Sequence, residues 1–344
     1  MPESTGHNPL VSVITPTYNH EGFIACCLES VLAQTCQDWE QIVLDDGSTD
    51  RTAEIVQSYS DVRIRYCYQN HAGIESLAQT YNRALGMARG QLIAILEGDD
   101  FWPAGKLAQM VLAFRDPSLV LAFGEMWEVD AAGRPARRRT RTARERSRLP
   151  RSILFNNPPP AAAAYMLTLP GHSMVSASTV LIRRSALEDI GGFQYVPGLR
   201  FIDFPTFIRL ATRGKFFYSK AVLGYRRMYP ASATAVYKAE MVEAAEKFRR
   251  QLMAEECFGL TPKDRRRIER SWLPMNQTKE FSLGRLRLLE YSWAESRRHF
   301  SRALGWLDLR VSAGAILGWI FSWFHCDLEI LFRLAGRTSL KADS

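Results

Sequence analysis

Short apolar runs alternate with helical patterns along the first third of the chain. Four of these runs have the β-branched composition of strands: VSVIT (11–15), QIVLD (41–45), VRIRYCY (62–68) and QLIAIL (91–96). The segments between them carry apolar residues at helical spacing. Because strands that alternate with helices form βαβ units, the pattern from Leu10 to about Val129 predicts an α/β fold with a mostly parallel sheet.

The composition changes after Asp130. The segment 130–176 is rich in arginine and proline, which predicts a long loop rather than a continuation of the sheet. Strand and helix patterns resume near residue 176, and beyond Ser232 the pattern is helical. We therefore predict an α/β domain that contains this loop, followed by an all-helical domain: residues 1–230 and 231–344.

The charge of the chain is concentrated in one segment. There are 44 lysines and arginines against 36 aspartates and glutamates, a net charge of +8. Residues 134–151 contain nine arginines and one glutamate, so they account for the whole excess. A protein that binds nucleic acid over a whole face has its positive charge spread more widely. No aromatic residue lies between these arginines to stack on bases. We therefore expect no nucleic-acid partner, and predict that 134–151 faces an anionic substrate or an anionic membrane surface.

Cysteine spacing and the first residues both indicate a cytoplasmic protein. The six cysteines have no spacing that suits zinc, and most lie in apolar stretches, as buried reduced thiols do. MPESTGHNPL lacks the basic start and apolar core of a signal peptide. The apolar stretch 311–325 is shorter than the roughly 20 residues of a membrane span. This stretch favours a buried helix, with an interfacial helix as the alternative. Any peripheral contact with the inner face of the cell membrane would use 134–151 or 311–325.

Three polar clusters follow the predicted strands. They are Thr15–Asn19, Asp45–Asp50 and Glu97–Asp100. Ligands of open α/β sheets bind beyond the carboxyl ends of strands, so we expect these clusters to share a site. Tyr18 supplies a ring suited to stacking a planar base, and Asp46 a carboxylate that can accept from an N–H group of that base. As single motifs, each is also compatible with a turn or a helix cap.

The cluster EGDD has the chemistry of a metal site. Glu97, Asp99 and Asp100 directly follow an apolar strand, where mutual repulsion is costly unless a cation offsets it. Mg²⁺ and Mn²⁺ take oxygen ligands, usually one or two carboxylates together with substrate phosphates. A capped turn with Gly98 is the alternative that the residues alone leave open.

Four segments together carry a resemblance to a known family: VSVITPTYNHEGFI, ESVLAQTCQDWEQIVLDDGSTDRT, NRALGMARGQLIAILEGDDFW and FIDFPTFIRLATRGKFFY. In order and spacing they closely resemble the inverting, nucleotide-sugar-dependent glycosyltransferases of family 2, which have the GT-A fold. The resemblance spans roughly Pro9 to Arg227, about two thirds of the chain. The helical C-terminal region lies outside it and receives no assignment from the family.

The resemblance implies roles for the nucleotide-side residues. Thr15, Pro16 and Tyr18 match the first nucleotide-contacting segment of the family. Asp46 matches the carboxylate that reads the base, most often uracil. Glu97 stands where many members have the first Asp of the DxD motif, and its expected partner is the ribose.

The same resemblance implies the metal ligand and the catalytic base. Asp99 matches the Asp of the DxD motif that binds Mn²⁺ or Mg²⁺, and the ion bridges the donor diphosphate. Asp203 matches the catalytic base, although Ile202 stands where members often have Glu. From the residues alone, the favoured interpretation of Asp203 is a helix N-cap. Arg226 matches a family arginine that can neutralise phosphate, and Met228 replaces the usual histidine two residues later.

The implied activity is metal-dependent transfer of a hexose from a nucleotide-diphosphate sugar, most simply a UDP-sugar. The acceptor would be a hydroxyl of a cell-surface carbohydrate or glycolipid precursor, and the loop 130–176 would lie on the acceptor side. A catalytically silent nucleotide-sugar-binding or assembly subunit is the alternative on the same fold. A dehydrogenase would require a GxGxxG turn after the first strand, and TPTYNHEG contains none.

Overall fold

The computed structural model describes residues 8–138, 163, 166–167, 175–236, 238–305 and 308–325. Contacts divide the chain into two compact units, with the boundary between Leu260 and Thr261. We call them the first and the second unit and describe each by itself.

The first unit is built on a mixed sheet of eight strands within the described residues: β1 (Val11–Thr17), β2 (Trp39–Asp45), β3 (Ile64–Tyr68), β4 (Leu92–Ile95), β5 (Leu119–Val129), β6 (Pro135–Arg138), β7 (Leu181–Arg183) and β8 (Lys215–Arg227). The strand order is β3-β2-β1-β4-β7-β5-β6, and β8 also pairs with β5. Strands β1 to β4 are parallel, β7 is antiparallel to both β4 and β5, and β8 is parallel to β5.

Helices of this unit connect the strands or follow them. They are α1 (Ile24–Leu32), α2 (Thr52–Gln57), α3 (Leu77–Met87), α4 (Lys106–Val111), α5 (Arg184–Asp189), α6 (Asp203–Leu210), α7 (Ala233–Val236) and α8 (Lys238–Ala254). Strands β1, β2 and β4 are buried on both faces, which explains why their sequences read as nearly continuous apolar runs. The predicted mostly parallel sheet with flanking helices is confirmed.

A buried carboxylate helps hold the central strands. Glu40 on β2 accepts hydrogen bonds from Ser12 Oγ at 2.8 Å, from the Arg89 backbone N at 2.7 Å and from Arg65 Nη1 at 3.0 Å. Burial alone would raise the pKa of Glu40, but these hydrogen bonds outweigh it and hold the pKa below its ordinary value. The buried charge is therefore well compensated.

The structure differs from the predicted loop 130–176 at its start. Residues Pro135–Arg138 form β6, which pairs antiparallel with β5 after a turn in which Gly133 has a φ of 80°. Proline is tolerated here because it opens the strand, where its missing N–H breaks no ladder hydrogen bond. Most of the arginine-rich segment 134–151 lies outside the described residues.

Helix α8 belongs to the first unit. Phe248 packs edge-on against Phe204 of α6, with 5.9 Å between ring centroids, and Glu255 pairs with Arg209 at 3.0 Å. The first unit therefore continues about thirty residues beyond the predicted boundary at 230. The assignment of the two regions as separate functional domains stays a prediction.

The second unit contains three described helices, α9 (Pro262–Leu289), α10 (Trp293–Ala303) and α11 (Leu309–Trp323). Thr261 and Asp264 form a capping box that begins α9. The core lies around Phe300, which is fully buried. Gly318 on α11 faces the Phe300 ring so closely that an added Cβ would lie 2.3 Å from it, so only glycine permits this packing.

Helix α11 buries its small residues and exposes its large ones. Val311, Ala315, Gly318 and Ser322 face the interior of the unit. The expectation of a buried helix at 311–325 is therefore wrong for much of its surface in the described structure. The exposed apolar side chains are Leu309, Ile316, Leu317, Trp319, Ile320, Trp323 and Phe324. Among the described residues, no helix combines the length and the apolar character that crossing a bilayer requires.

Candidate active site

A cavity of about 700 Å³ lies at the carboxyl ends of β1, β2 and β4. Its lining includes six of the seven residues predicted for the site: Pro16, Tyr18, Asp46, Glu97, Asp99 and Asp203. Thr15 is the exception. Thr17, two residues later in β1, lines the cavity instead. Thr15 is fully buried and accepts a hydrogen bond from Gln41 Nε2 at 3.0 Å.

One end of the cavity is built around Asp46. Its carboxylate accepts hydrogen bonds from Gln69 Nε2 at 2.6 Å, from Ala72 N at 3.0 Å and from Gly73 N at 3.1 Å. The loop after β3 thus folds back over the end of β2. Gly47 has a φ of 78°, and a Cβ there would lie 2.7 Å from the backbone N of His71, so this close approach requires glycine.

His71 completes this end of the cavity. Its ring stacks on Tyr18 with 4.2 Å between centroids and 24° between planes. Its Nδ1 lies 2.9 Å from the Asp46 backbone O and 3.1 Å from Asp46 Oδ2. Sequence reasoning missed His71, although β3 ends at the same sheet edge and QNHAG is a fourth polar cluster directly after it.

The acidic cluster forms the centre of the cavity wall. One carboxylate oxygen from each of Glu97, Asp99 and Asp100 lies within 4.8 Å of the others. Burial, followed by the charge of Asp99, raises the pKa of Glu97 to about 7. Burial, followed by the charges of Asp99 and Glu97, also raises the pKa of Asp100 well above its ordinary value. A cluster of acids whose charged forms are disfavoured in this way fits a divalent cation, because the cation would remove their repulsion.

Each member of the cluster has a distinct partner. Tyr81 donates its hydroxyl to Glu97 Oε1 at 3.1 Å, and Tyr229 donates its hydroxyl to Asp99 Oδ2 at 2.9 Å. Burial and the Asp99 charge raise the pKa of Tyr229, which keeps its hydroxyl protonated as a donor. These bonds orient the Glu97 and Asp99 carboxylates within the cavity.

Asp100 is held away from the open side of the cluster. It is buried and accepts from Ser178 Oγ at 2.5 Å and from the Arg227 backbone N at 3.1 Å. Behind it, Lys106 Nζ and Trp102 Nε1 both donate to the Ser178 backbone O, at 3.0 and 2.7 Å. Asp99 and Glu97 are therefore better placed to hold a metal ion than Asp100 is.

Asp203 lines the same cavity from α6. The N-cap position of this helix is occupied by Ile202, so Asp203 is the first helical residue and the N-cap interpretation of Asp203 is wrong. Its charge contributes to the raised pKa of Glu97, which places the two groups in electrostatic contact. A carboxylate that faces a cavity in this way can accept a proton from a bound hydroxyl.

Two arginines bring positive charge to the cavity wall. Arg226 pairs with Glu128 at 2.9 Å, and Arg200 pairs with Glu75 at 3.1 Å. The Nε of Arg226 is buried and has no hydrogen-bond partner among the described residues.

The sheet, with a tyrosine, a carboxylate and an acidic cluster at its strand ends in one cavity, matches the site expected of a GT-A nucleotide-sugar transferase. Within this class the chain belongs to glycosyl transferase family 2, because residues 12–191, more than half of its length, match the family model. The predicted family is therefore confirmed.

Curated relatives and a solved structure agree with this membership. TuaG of Bacillus subtilis, a glycosyltransferase assigned to teichuronic acid biosynthesis, is 39% identical over 121 residues, 35% of this chain and 47% of TuaG. WfgD of Escherichia coli, a UDP-Glc:α-D-GlcNAc-diphosphoundecaprenol β-1,3-glucosyltransferase, is 38% identical over 115 residues, 33% of this chain and 45% of WfgD. The match thus spans less than half the length of either relative. The mannosyltransferase PcManGT of Pyrobaculum calidifontis, solved with GDP-Man and Mn²⁺, has a TM-score of 0.58 at 18% identity, covering 97% of this chain and 89% of PcManGT, which supports the GT-A fold.

Proposed function

We propose that this chain is an inverting, metal-dependent glycosyltransferase that moves a hexose from a UDP-sugar to a hydroxyl of a glycan or glycolipid precursor. One observation carries the proposal: residues from four separate segments, with Tyr18, Asp46, Asp99 and Asp203 among them, line a single cavity. A nucleotide-sugar presents a planar base, a diphosphate and a sugar in that order. The cavity offers a ring, an acidic cluster and a further carboxylate to match them.

The donor is held by groups of opposite character. The base stacks on Tyr18 and donates an N–H to Asp46. Asp99, with Glu97 beside it, would hold Mn²⁺ or Mg²⁺, which supplies positive charge to the diphosphate when it is bound. Arg226, which lines the same cavity, brings a guanidinium charge towards the diphosphate and offsets further negative charge.

Transfer uses Asp203 as general base. The Asp203 carboxylate accepts the proton of the acceptor hydroxyl while the hydroxyl oxygen bonds to the anomeric carbon. The bond from that carbon to the diphosphate breaks in the same step, and the electron pair leaves with the diphosphate. Because the nucleophile enters opposite the leaving group, one displacement inverts the anomeric centre.

A membrane-linked acceptor is consistent with the relatives and with the second unit. WfgD acts on a diphosphoundecaprenol acceptor, as its name states. The apolar side chains that α11 exposes, with Trp319 and Trp323 among them, have the composition of an interfacial helix. We therefore extend the proposal to peripheral binding at the inner face of the cell membrane, with the arginine-rich segment 134–151 as a second contact.

The test of the chemistry separates binding from transfer. Purified protein is assayed with UDP-glucose and UDP-GlcNAc, Mn²⁺ and a synthetic GlcNAc-diphosphoundecaprenol acceptor, and the anomeric configuration of the product is read by proton NMR. Asp203→Asn should bind UDP as the wild type does and lose at least about 100-fold in turnover. The control Asp189→Asn changes an exposed carboxylate of the same unit and should keep full turnover.

Three outcomes contradict this proposal in different ways. A product with the donor's anomeric configuration rules out inversion. Wild-type turnover by Asp203→Asn rules out the assigned base. Metal-dependent UDP binding with no transfer to any acceptor tested indicates the silent nucleotide-sugar-binding subunit instead.

Membrane binding has its own test. Cosedimentation with vesicles of phosphatidylethanolamine and phosphatidylglycerol should recover the wild type, and Trp323→Ser should reduce the bound fraction several-fold because an exposed apolar anchor is lost. Tyr291→Ser removes an aromatic side chain that is 73% exposed in the same unit and serves as the control. Equal binding by all three proteins would refute α11 as the contact.

A further inference from the structure

His71 makes the two contacts that the proposed function assigns to the donor base. Its ring stacks on Tyr18 at 4.2 Å, and its Nδ1 lies 3.1 Å from Asp46 Oδ2. The same stacking surface and the same carboxylate cannot serve the histidine and a base at once. This juxtaposition is the starting point of an inference that rests on the proposed function and goes further than it.

The neighbours of His71 define its hydrogen bonding. Both atoms near Nδ1 are acceptors, the backbone O and the carboxylate Oδ2 of Asp46. A contact with two acceptors requires that Nδ1 carry the hydrogen. The imidazole therefore presents to Asp46 a flat ring with an N–H on its edge, as uracil does with N3–H and guanine with N1–H.

Hydrogen bonds and packing hold the backbone of this loop, whereas the imidazole can rotate about its own side-chain bonds. Ala72 N and Gly73 N bind the Asp46 carboxylate, and the backbone at residue 71 packs on Gly47. The His71 side chain itself is 48% exposed. Rotation about its side-chain bonds would clear the Tyr18 face without moving the loop.

We propose that the His71 imidazole is an internal occupant of the base subsite, which the donor base displaces when it binds. Binding then exchanges one stacked ring with an N–H donor for another. The exchange lowers the affinity for every nucleotide, and it favours bases that replace the lost N–H. Uracil, thymine and guanine have a ring N–H at the matching edge, whereas cytosine and adenine present a ring nitrogen acceptor to the Asp46 carboxylate.

Calorimetric titration with UDP in the presence of Mn²⁺ tests the displacement. His71→Ala should bind UDP about tenfold more tightly than the wild type, because the stack and the hydrogen bond no longer have to be broken. His71→Phe keeps the stacked ring but loses the N–H donor, so its gain should be smaller. His325→Ala removes a histidine that stacks on Trp293 in the second unit and should leave the affinity unchanged.

Inorganic pyrophosphate with Mn²⁺ is the internal control. It has no base, so the wild type and His71→Ala should bind it equally. In the wild type, the carbon-bound proton signals of the His71 ring should shift on addition of UDP, as the ring leaves the Tyr18 face, and should stay in place with pyrophosphate. CDP should bind at least tenfold more weakly than UDP.

The outcomes separate this inference from the proposed function. If the wild type binds UDP and His71→Ala binds it equally or more weakly, the displacement is refuted while the donor site stands. Equal affinities for CDP and UDP would refute the base preference. If neither protein binds any nucleoside diphosphate, the proposed function itself fails, and the inference fails with it.

Discussion

Replacing one acid of the acidic cluster Glu97, Asp99 and Asp100 should stabilise the protein when no metal is added. Glu97 shares the cavity wall with Asp99 and Asp100, and its pKa lies at about 7 instead of the ordinary 4.5. Glu97→Gln keeps the shape of the side chain and an oxygen that accepts from the Tyr81 hydroxyl, but it carries no charge at any pH. We expect it to be more stable than the wild type above pH 7.

The size and sign of this effect follow from proton linkage. Between pH 4.5 and about 7, Glu97 is protonated in the folded chain and ionised in the unfolded chain. The stability that this proton supports is therefore complete below pH 4.5 and is lost as the pH rises through 7. A shift from 4.5 to about 7 corresponds to roughly 3 kcal/mol at 1.36 kcal/mol per unit. This is an upper bound, because the cavity wall is open to water.

The assay compares melting temperatures between pH 5 and pH 8 in the presence of a chelator. The difference between Glu97→Gln and the wild type reports the titration of this carboxyl group together with its effect on the neighbouring acids, because groups elsewhere are common to both. Glu54→Gln, whose exposed partner is Arg51, should remain within about 0.5 kcal/mol of the wild type. Added Mn²⁺ should stabilise the wild type at pH 8 and stabilise Glu97→Gln much less.

A flat difference between the two proteins from pH 5 to pH 8 would refute the reasoning. It would mean that the Glu97 carboxyl titrates near its ordinary pKa and that its neighbours impose no cost. Equal stabilisation of both proteins by Mn²⁺ would separately exclude Glu97 as a ligand of the proposed metal ion.

Two further predictions concern the framework of each unit. Glu40→Gln should lower the stability at pH 7 by about 2 kcal/mol, because it weakens the bonds from Ser12 and the two arginines. The Glu40 pKa is depressed, so this difference in melting temperature should be full above pH 4.5 and shrink as the pH falls further. Phe300→Ala removes a fully buried ring and should cost the second unit about 3 to 5 kcal/mol, measured by calorimetry. An unchanged transition of that unit would show that its core is not centred on Phe300.

The sequence allowed the sheet and most of the cavity to be predicted, because both depend on local patterns. The strand ends are marked by apolar runs that stop at polar clusters, so Tyr18, Asp46 and Asp99 could be located from order alone. His71 was missed although the polar cluster QNHAG marks the end of β3, and its contacts with Tyr18 and Asp46 depend on a loop that folds back over Gly47. Such a contact leaves no periodic signal in the chain.

The direction in which α11 faces was also beyond the sequence. A stretch of apolar residues indicates burial, but it does not reveal which side of the helix meets the rest of the unit. The close approach of Gly318 to Phe300 decides this, since small residues let the helix pack tightly and leave the bulky ones outside. Strand β6 was missed because Pro135 indicated a break in the sheet. Pro135 is the first residue of the strand, where proline is tolerated.

The hydrogen bonds that hold the acidic cluster join parts of the chain that are made at very different times. Asp100 is bound by the backbone of Arg227, and Asp99 by the hydroxyl of Tyr229, at sequence separations of 127 and 130 residues. Contacts of such long range form late, because loop closure must precede them. On the ribosome, β1 and β2, which end directly before Tyr18 and Asp46, would emerge and pair well before β8 has been synthesised. We therefore expect a nascent chain that ends before β8 to pair its earlier strands without a finished acidic cluster, so that the proposed donor site is completed only when the first unit is complete.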